Sequence, residues 1–279
     1  KTFEDTRMLE LCTPVIFANV KIVSFLKKEL KLDVAIHGID KVEQLVVGKI
    51  NVLNVWREGV NLELGKNDDV VGSYAIKSFV AATKALKEGF VDVLVTAPIN
   101  KYNIQSEEFK FPGHTDYLNK ELTGDALMLM VHDDLRVGLL TDHVPVNEVA
   151  KNLTERLILS KIQTVIKTLK QDFEIEKPKI AVLGLNPHSG DNGVIGDEEE
   201  KIKKPALKKL FEAGNLVFGP FSADGFFGSS QYEKYDAVIA TYHDQGLIPF
   251  KTLSFGTGVN YTAGLDKIRT SPDHGTAYE

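Results

Sequence analysis

Three short histidine segments hold the residues of this chain best suited to chemistry: Thr141-Asp142-His143-Val144-Pro145, Leu185-Asn186-Pro187-His188-Ser189-Gly190 and Ala240-Thr241-Tyr242-His243-Asp244-Gln245-Gly246. In each, an apolar run ends in turn-forming residues with an imidazole at the mouth, where an open α/β sheet presents its ligand groups. Taken singly, such a histidine is more often a strand-end residue bonded to backbone. Three in the same context point instead to a divalent metal held by His143, His188 and His243. Three protein nitrogens with a position left for water or substrate oxygen is the catalytic pattern rather than the structural one. The spacings, 45 residues from His143 to His188 and 55 from His188 to His243, are too long for a zinc finger or a helical HExxH motif, so the fold must assemble the site. Imidazole ligands suit zinc, cobalt and other divalent ions alike, and the expected ion is zinc, magnesium or cobalt. Asp142 and Asp244 each neighbour one of these histidines and could orient its ring, although alternation along a strand would turn adjacent side chains to opposite faces.

A second polar group follows His243. Lys251, Asn260 and Arg269 fall at intervals of nine residues among glycines. A lysine point charge, an amide and a bidentate guanidinium around a glycine-rich turn make a clamp for an anion. Proton transfer beside such a clamp needs a titratable group, and Lys251, Asp224 and Asp244 are the candidates, with Lys251 preferred.

The elements that must position these residues alternate in type. Residues 14–17, 33–36, 50–55, 91–96, 127–131, 137–140, 180–183 and 237–240 read as strands. Amphipathic helices lie between them, at 74–86 with Ile76, Phe79 and Val80 on one face and at 155–169 with Ile158, Ile162, Val165, Ile166 and Leu169. The acidic run Asp197–Glu200 opens a helix reaching Leu210, where negative charge suits the helix dipole. This alternation predicts an α/β fold with mostly parallel sheets covered by helices. At 279 residues and 43% hydrophobic content the chain can bury a large core. A formal charge of −6, with Lys and Arg spread along helices, argues against a nucleic-acid surface. No apolar run approaches the roughly 20 residues of a membrane span. The single cysteine, Cys12, cannot pair within the chain, and the expected compartment is the reducing cytoplasm.

The segments Gly113-His114-Thr115-Asp116, Asp142-His143-Val144-Pro145, Leu185–Gly190, Gly219-Pro220-Phe221-Ser222-Ala223-Asp224, Tyr242-His243-Asp244-Gln245-Gly246 and Arg269–Ala277 closely resemble, in order, the motifs of the 4-hydroxythreonine-4-phosphate dehydrogenase family of vitamin B6 biosynthesis. The resemblance runs from Thr96-Ala97-Pro98-Ile99-Asn100-Lys101 to the last residues. It implies an NAD-dependent oxidation of the 3-hydroxyl of 4-phosphooxy-threonine and decarboxylation to 3-amino-2-oxopropyl phosphate. The family's metal ligands fall on His143, His188 and His243, and its substrate contacts on His114, Thr115, Lys251, Asn260 and Arg269. By the same resemblance the fold is two-lobed, like that of isocitrate and isopropylmalate dehydrogenases. The first lobe would comprise 1–102 with 258–279, and the second 103–257, which would hold the metal ligands and the interface of a homodimer. One metal ligand would then come from the partner chain.

The cofactor expectation rests on resemblance alone, because no GxGxxG follows an early strand. The adenosine portion of NAD, or of NADP, is expected on Asp273, His274, Gly275, Thr276 and Ala277. Against the family pattern, the chain opens in what reads as the first helix, without the preceding strand and glycine-rich loop, and ends before the family's terminal helix. Expected cofactor contacts are accordingly incomplete. Two other functions fit the same residues: a paralogous dehydrogenase of 4-phosphothreonate or 4-phosphoerythronate, and a three-histidine metallohydrolase that needs no nucleotide.

Overall fold

Short β-branched runs form the strands, and the helices between them bury stripes of Ile, Leu and Val against the sheets. In the computed structural model, which describes residues 2–107, 109–133 and 135–276, the chain divides into two units. One is formed by the residues up to Tyr117 together with those from His274 onward, the other by Leu118–Asp273.

The first unit contains β1 (Val15–Ala18), β2 (Ile36–Ile39), β3 (Ile50–Asn54) and β4 (Val93–Val95). The first three make a parallel sheet in the order β1-β3-β2. β2 begins at Ile36, the last residue of the strand expected at 33–36. Asp68 opens the helix Asp69–Lys87 by accepting from the backbone N–H groups of Val70 and Val71 at 2.7 and 3.0 Å. That helix buries Phe79. The ring of His114 stacks edge-on against Phe79 with centroids 4.6 Å apart, at the start of the helix His114–Glu121.

The second unit contains β5 (Gly124–His132), β6 (Leu135–Leu139), β7 (Lys179–Leu183), β8 (Leu216–Phe221), β9 (Ala237–Ala240), β10 (Val259–Leu265) and β11 (Ile268–Pro272). They follow one another across one sheet as β11-β10-β5-β6-β9-β7-β8. From β11 to β6 the pairing is antiparallel, and from β6 through β9 and β7 to β8 it is parallel. The α/β class with mostly parallel sheets is as the sequence predicts. β8, β10 and β11 are additions to the strands read from sequence. Gly219 and Pro220 interrupt the apolar run of β8, and Asn260, Thr262 and Gly264 that of β10, so neither displays a clean hydrophobic signal.

Both faces of the parallel half are covered. Ile180 and Val182 of β7 and Ile239 of β9 pack with Ile158, Ile162 and Val165 of the helix Glu155–Gln171. Ala181, Leu183, Val238 and Ala240 face the other way, toward Phe226, Leu247 and Phe250. This period-2 division with apolar residues on both sides is what a buried parallel strand requires. The helix His243–Ser254 approaches the sheet at Gly246, where an added Cβ would stand 2.9 Å from Ala240 Cβ, 2.9 Å from Leu139 Cδ2 and 3.0 Å from Val137 Cγ1. A side chain there would push off the helix that begins with His243. Gly246→Val is expected to lower stability by about 1–3 kcal/mol through overpacking, seen as a reduced urea midpoint with an unchanged slope.

Candidate active site

The parallel pairing β6-β9-β7 decides where the three histidines go. His143 follows β6, His243 follows β9 and His188 follows β7, so three adjacent strands running in one direction deliver them to one edge of the sheet. The rings of His143 and His243 lie together, centroids 6.2 Å apart. Asp244 Oδ1 is 2.7 Å from His243 Nδ1, and Asp142 Oδ2 is 4.0 Å from His143 Nδ1. Strand alternation governs neither pair: His243 and Asp244 open a helix, and Asp142 and His143 lie in a bend past the end of β6. Two neighbouring imidazoles, one braced by a carboxylate, are donors of the kind a divalent ion takes, and the brace fixes which ring nitrogen faces outward. His188 does not complete the set within one chain. Among the described residues no group of three or more His, Cys, Asp or Glu side chains could hold an ion.

His188 sits in an unusual turn. Residues His188, Ser189, Gly190, Asp191 and Asn192 all have left-handed backbone, with φ from 43° to 80°. Four of them are not glycine, and such conformations cost of order 1–3 kcal/mol each and persist only where the surroundings hold them. Ser189 Oγ donates to Pro220 O at 3.0 Å, and the Ile195 N–H closes the turn on Gly190 O at 3.0 Å. Glu199 lies beneath it, wholly buried. Its carboxylate accepts from the backbone N–H groups of Leu185 and Asn186 at 2.6 and 2.9 Å and from Asn186 Nδ2 at 2.8 Å. Burial opposes ionisation of Glu199, but these donors outweigh it and hold the carboxyl below its ordinary range. The expectation that the 197–200 run serves the helix dipole is corrected here for Glu199, whose charge is consumed by donors from the His188 segment.

Polar side chains tie the three strand ends together. Thr141 Oγ1 donates to Thr241 O at 2.7 Å, Gln245 Oε1 accepts from Thr241 N at 2.6 Å, and Gln245 Nε2 donates to Gly184 O at 2.7 Å. Lys203, also wholly buried, donates to Leu183 O at 2.8 Å and Thr241 Oγ1 at 2.7 Å. Burial pushes its ammonium down to about 7, with the charge of Glu199 working in the other direction. Sequence reasoning missed Glu199, Lys203, Thr141, Thr241 and Gln245 as site residues. Glu199 and Lys203 look like ordinary members of a charged helix, whereas Gln245, inside the Tyr242–Gly246 motif, could have been found from its place beside His243.

The remaining predicted residues are distributed as follows. Lys251, exposed on the helix His243–Ser254, donates to the backbone carbonyl of Asp273 at 2.9 Å, which joins the expected anion clamp to the expected nucleotide loop. Asn260 lies in β10, in register with Ser271 of β11. Arg269, only 3% exposed in β11, donates to Thr262 Oγ1 at 3.2 Å, and burial lowers its guanidinium to about 10. Lys251, Asn260 and Arg269 thus stand on a helix and two strands rather than around a glycine turn. Asp224 accepts from Ser222 Oγ at 2.6 Å; this bond, a backbone N–H and the proximity of His188 hold its carboxyl below the ordinary range, which weakens it as a base. His114 and Thr115 belong to the first unit. In the 273–277 segment His274 Nδ1 is 2.9 Å from Gly275 O, and Ala277 lies outside the described residues.

Titratable side chains gathered past the carboxyl ends of parallel strands are the arrangement of an α/β enzyme. Residues 10–279 match the family model described as pyridoxal phosphate biosynthetic protein PdxA. The chain is 46% identical over 281 residues to a 4-hydroxythreonine-4-phosphate dehydrogenase of Bacteroides thetaiotaomicron, covering 100% of this chain and 77% of that one. It is 40% identical over 267 residues to the enzyme of the same name from Sulfurihydrogenibium sp., covering 95% and 81%. The crystal structure of a 4-hydroxythreonine-4-phosphate dehydrogenase from Burkholderia phymatum superposes with a TM-score of 0.81 at 32% identity, covering 99% of this chain and 86% of that one. The chain belongs to the PdxA family.

Because Glu199 is held below its ordinary value, its stabilising contribution is present above about pH 4.5 and is lost as the pH falls through its lower folded-state value. Glu199→Gln is expected to lower stability near neutral pH by roughly 1–3 kcal/mol. It should also flatten the acid limb of the stability profile, measured by thermal melts from pH 7 to pH 3.

Proposed function

We propose that this chain is an NAD-dependent 4-hydroxythreonine-4-phosphate dehydrogenase, oxidising the 3-hydroxyl of 4-phosphooxy-threonine and releasing carbon dioxide to leave 3-amino-2-oxopropyl phosphate. The observation that carries this reading is the delivery of His143, His188 and His243 to one edge of the parallel strands in a chain whose relatives bear that name. We assign these three histidines to a divalent ion, zinc, cobalt or magnesium. Since one chain brings only His143 and His243 together, we assign the completed set to a homodimer in which each site takes a histidine from both subunits. A bound divalent ion supplies Lewis-acid stabilisation for the negative charge that develops on oxygen in both oxidation and decarboxylation.

The chain's own residues do the remaining work. Asp244 holds the His243 ring through Nδ1, leaving Nε2 to face outward. Lys251 would take the hydroxyl proton during oxidation, for which a bound nicotinamide would supply the hydride acceptor, and would later return a proton to the carbon that has lost carbon dioxide; Asp224, ionised and bonded to Ser222, is the weaker alternative. His114, Thr115, Lys251, Asn260 and Arg269 bind the substrate, with the buried Arg269 as a fixed positive charge for its anionic groups. Asp273, His274, Gly275, Thr276 and Ala277 receive the adenosine end of NAD, and NADP is the alternative cofactor. Lys251 is tied to the carbonyl of Asp273, the first residue of the segment assigned to the nucleotide. A cytoplasmic location suits such a metabolic enzyme, and no helix among the described residues is long and apolar enough to cross a membrane.

The test is production of NADH, followed by absorbance, when protein, a divalent metal and NAD meet 4-phosphooxy-threonine. Chelation should abolish it. His188→Ala should lose metal and at least about 10²-fold in turnover while keeping a cooperative melt. Preference for 4-phosphothreonate would move the assignment to a paralogue, and phosphate-ester or amide hydrolysis without nucleotide would overturn the dehydrogenase reading.

A further inference from the structure

Glu199 and Lys203 bound a single π-helical turn, closed by the Lys204 N–H on Glu199 O. A wider turn of this kind is rare and occurs frequently at functional sites. Here it brings two charged side chains, both 0% exposed, under the two loops that follow β7 and β9. Glu199 takes the two backbone N–H groups and the side-chain amide that lead into the His188 turn. A Cβ at Gly190, in the middle of that turn, would stand 2.7 Å from Glu199 Oε2, so carboxylate and turn are in close contact. Lys203 spans the two strand ends, with Leu183 O on one side and Thr241 Oγ1 on the other. Thr241 is two residues before His243, and Leu183 is five before His188.

Two buried charges are a poor means of stabilising a core, since apolar residues of similar volume commonly do as well or better. Their use is specification of geometry. We propose that Glu199 and Lys203 are positioning residues for the metal-ligating histidines: Glu199 holds the left-handed turn that carries His188, and Lys203 fixes the distance between that turn's strand and the one leading to His243. Neither touches the reacting atoms. The metal part of this inference rests on the function proposed above, whereas the loop geometry does not.

The double variant Glu199→Gln/Lys203→Met of the whole chain separates positioning from simple structural support, because no charge is left buried alone and the unit keeps its packing. Cobalt(II) is the probe. The double variant is expected to melt cooperatively near the temperature of the unaltered protein, to bind cobalt about 10- to 100-fold more weakly and to show a changed visible spectrum. In native-state hydrogen exchange, amides of 185–192 and 241–245 should lose protection at least about tenfold while those of β5 and β6 keep theirs. Native cobalt affinity and spectrum with unchanged exchange in both loops would overturn the proposal. If the double variant fails to fold, Glu199→Gln alone, which retains one acceptor oxygen for Leu185 and Asn186, takes its place: lost protection across 185–192 supports the proposal, and unchanged exchange there overturns it. If cobalt binding by the unaltered protein is indifferent to His243→Ala, the metal reading has failed, and hydrogen exchange alone decides whether the two residues position the loops.

Discussion

The parallel pairing of β9 with both β6 and β7 is the constraint on which the site depends. Three strands that run side by side in one direction end together, and their last carbonyl groups emerge where the ladder stops and helices or turns begin. Buried backbone groups at such a place need partners. Thr141, Thr241, Gln245 and Lys203 supply them, each reaching from one strand end to the next. The same bonds that satisfy the backbone therefore set the spacing of the loops that carry His143, His188 and His243.

Around that seam the chain accepts local conformations that would not persist alone. The left-handed run from His188 to Asn192 is stabilised by Glu199 below and by Ser189 bonding across to Pro220. Gly246 lets the helix starting at His243 lie directly on β6 and β9. Apolar packing on both sheet faces provides the rigid base, with Ile158, Ile162 and Val165 on one side and Phe226, Leu247 and Phe250 on the other. Strain confined to a few residues is tolerable when the surrounding core is this well determined.

Much of this is legible in the sequence. The apolar runs that form β6, β7 and β9 announce themselves because both faces of a buried strand select Val, Ile, Leu and Ala, and those of β1, β3 and β5 by their content of Val, Ile, Leu and Met. The helix Glu155–Gln171 follows from its 3.6-residue stripe. β10 and β11 are obscured because they alternate core residues with Asn260, Thr262, Ser271 and Arg269, and β8 because Gly219 and Pro220 break its run. The three histidines, which do follow β6, β7 and β9 with the rings of His143 and His243 adjacent, are recognisable by residue type and setting. Glu199 and Lys203 are not, since within a charged run containing Glu198, Glu200, Lys201 and Lys204 only the three-dimensional structure shows which charges turn inward. Register around a π turn departs from the helical period on which sequence reasoning relies.

β6 is also the strand at which the sheet changes character, antiparallel to β5 on one side and parallel to β9 on the other. On the parallel side the chain turns back after each strand, so the residues past β6, β7 and β9 form one set of termini. On the antiparallel side, β10 and β11 are joined directly and add polar residues from within the ladder itself. Polar side chains in this scaffold thus come from two sources: loop residues at the parallel ends, and in-strand residues of the antiparallel ribbon. The first source carries His143, His188 and His243, and the second Asn260 and Arg269.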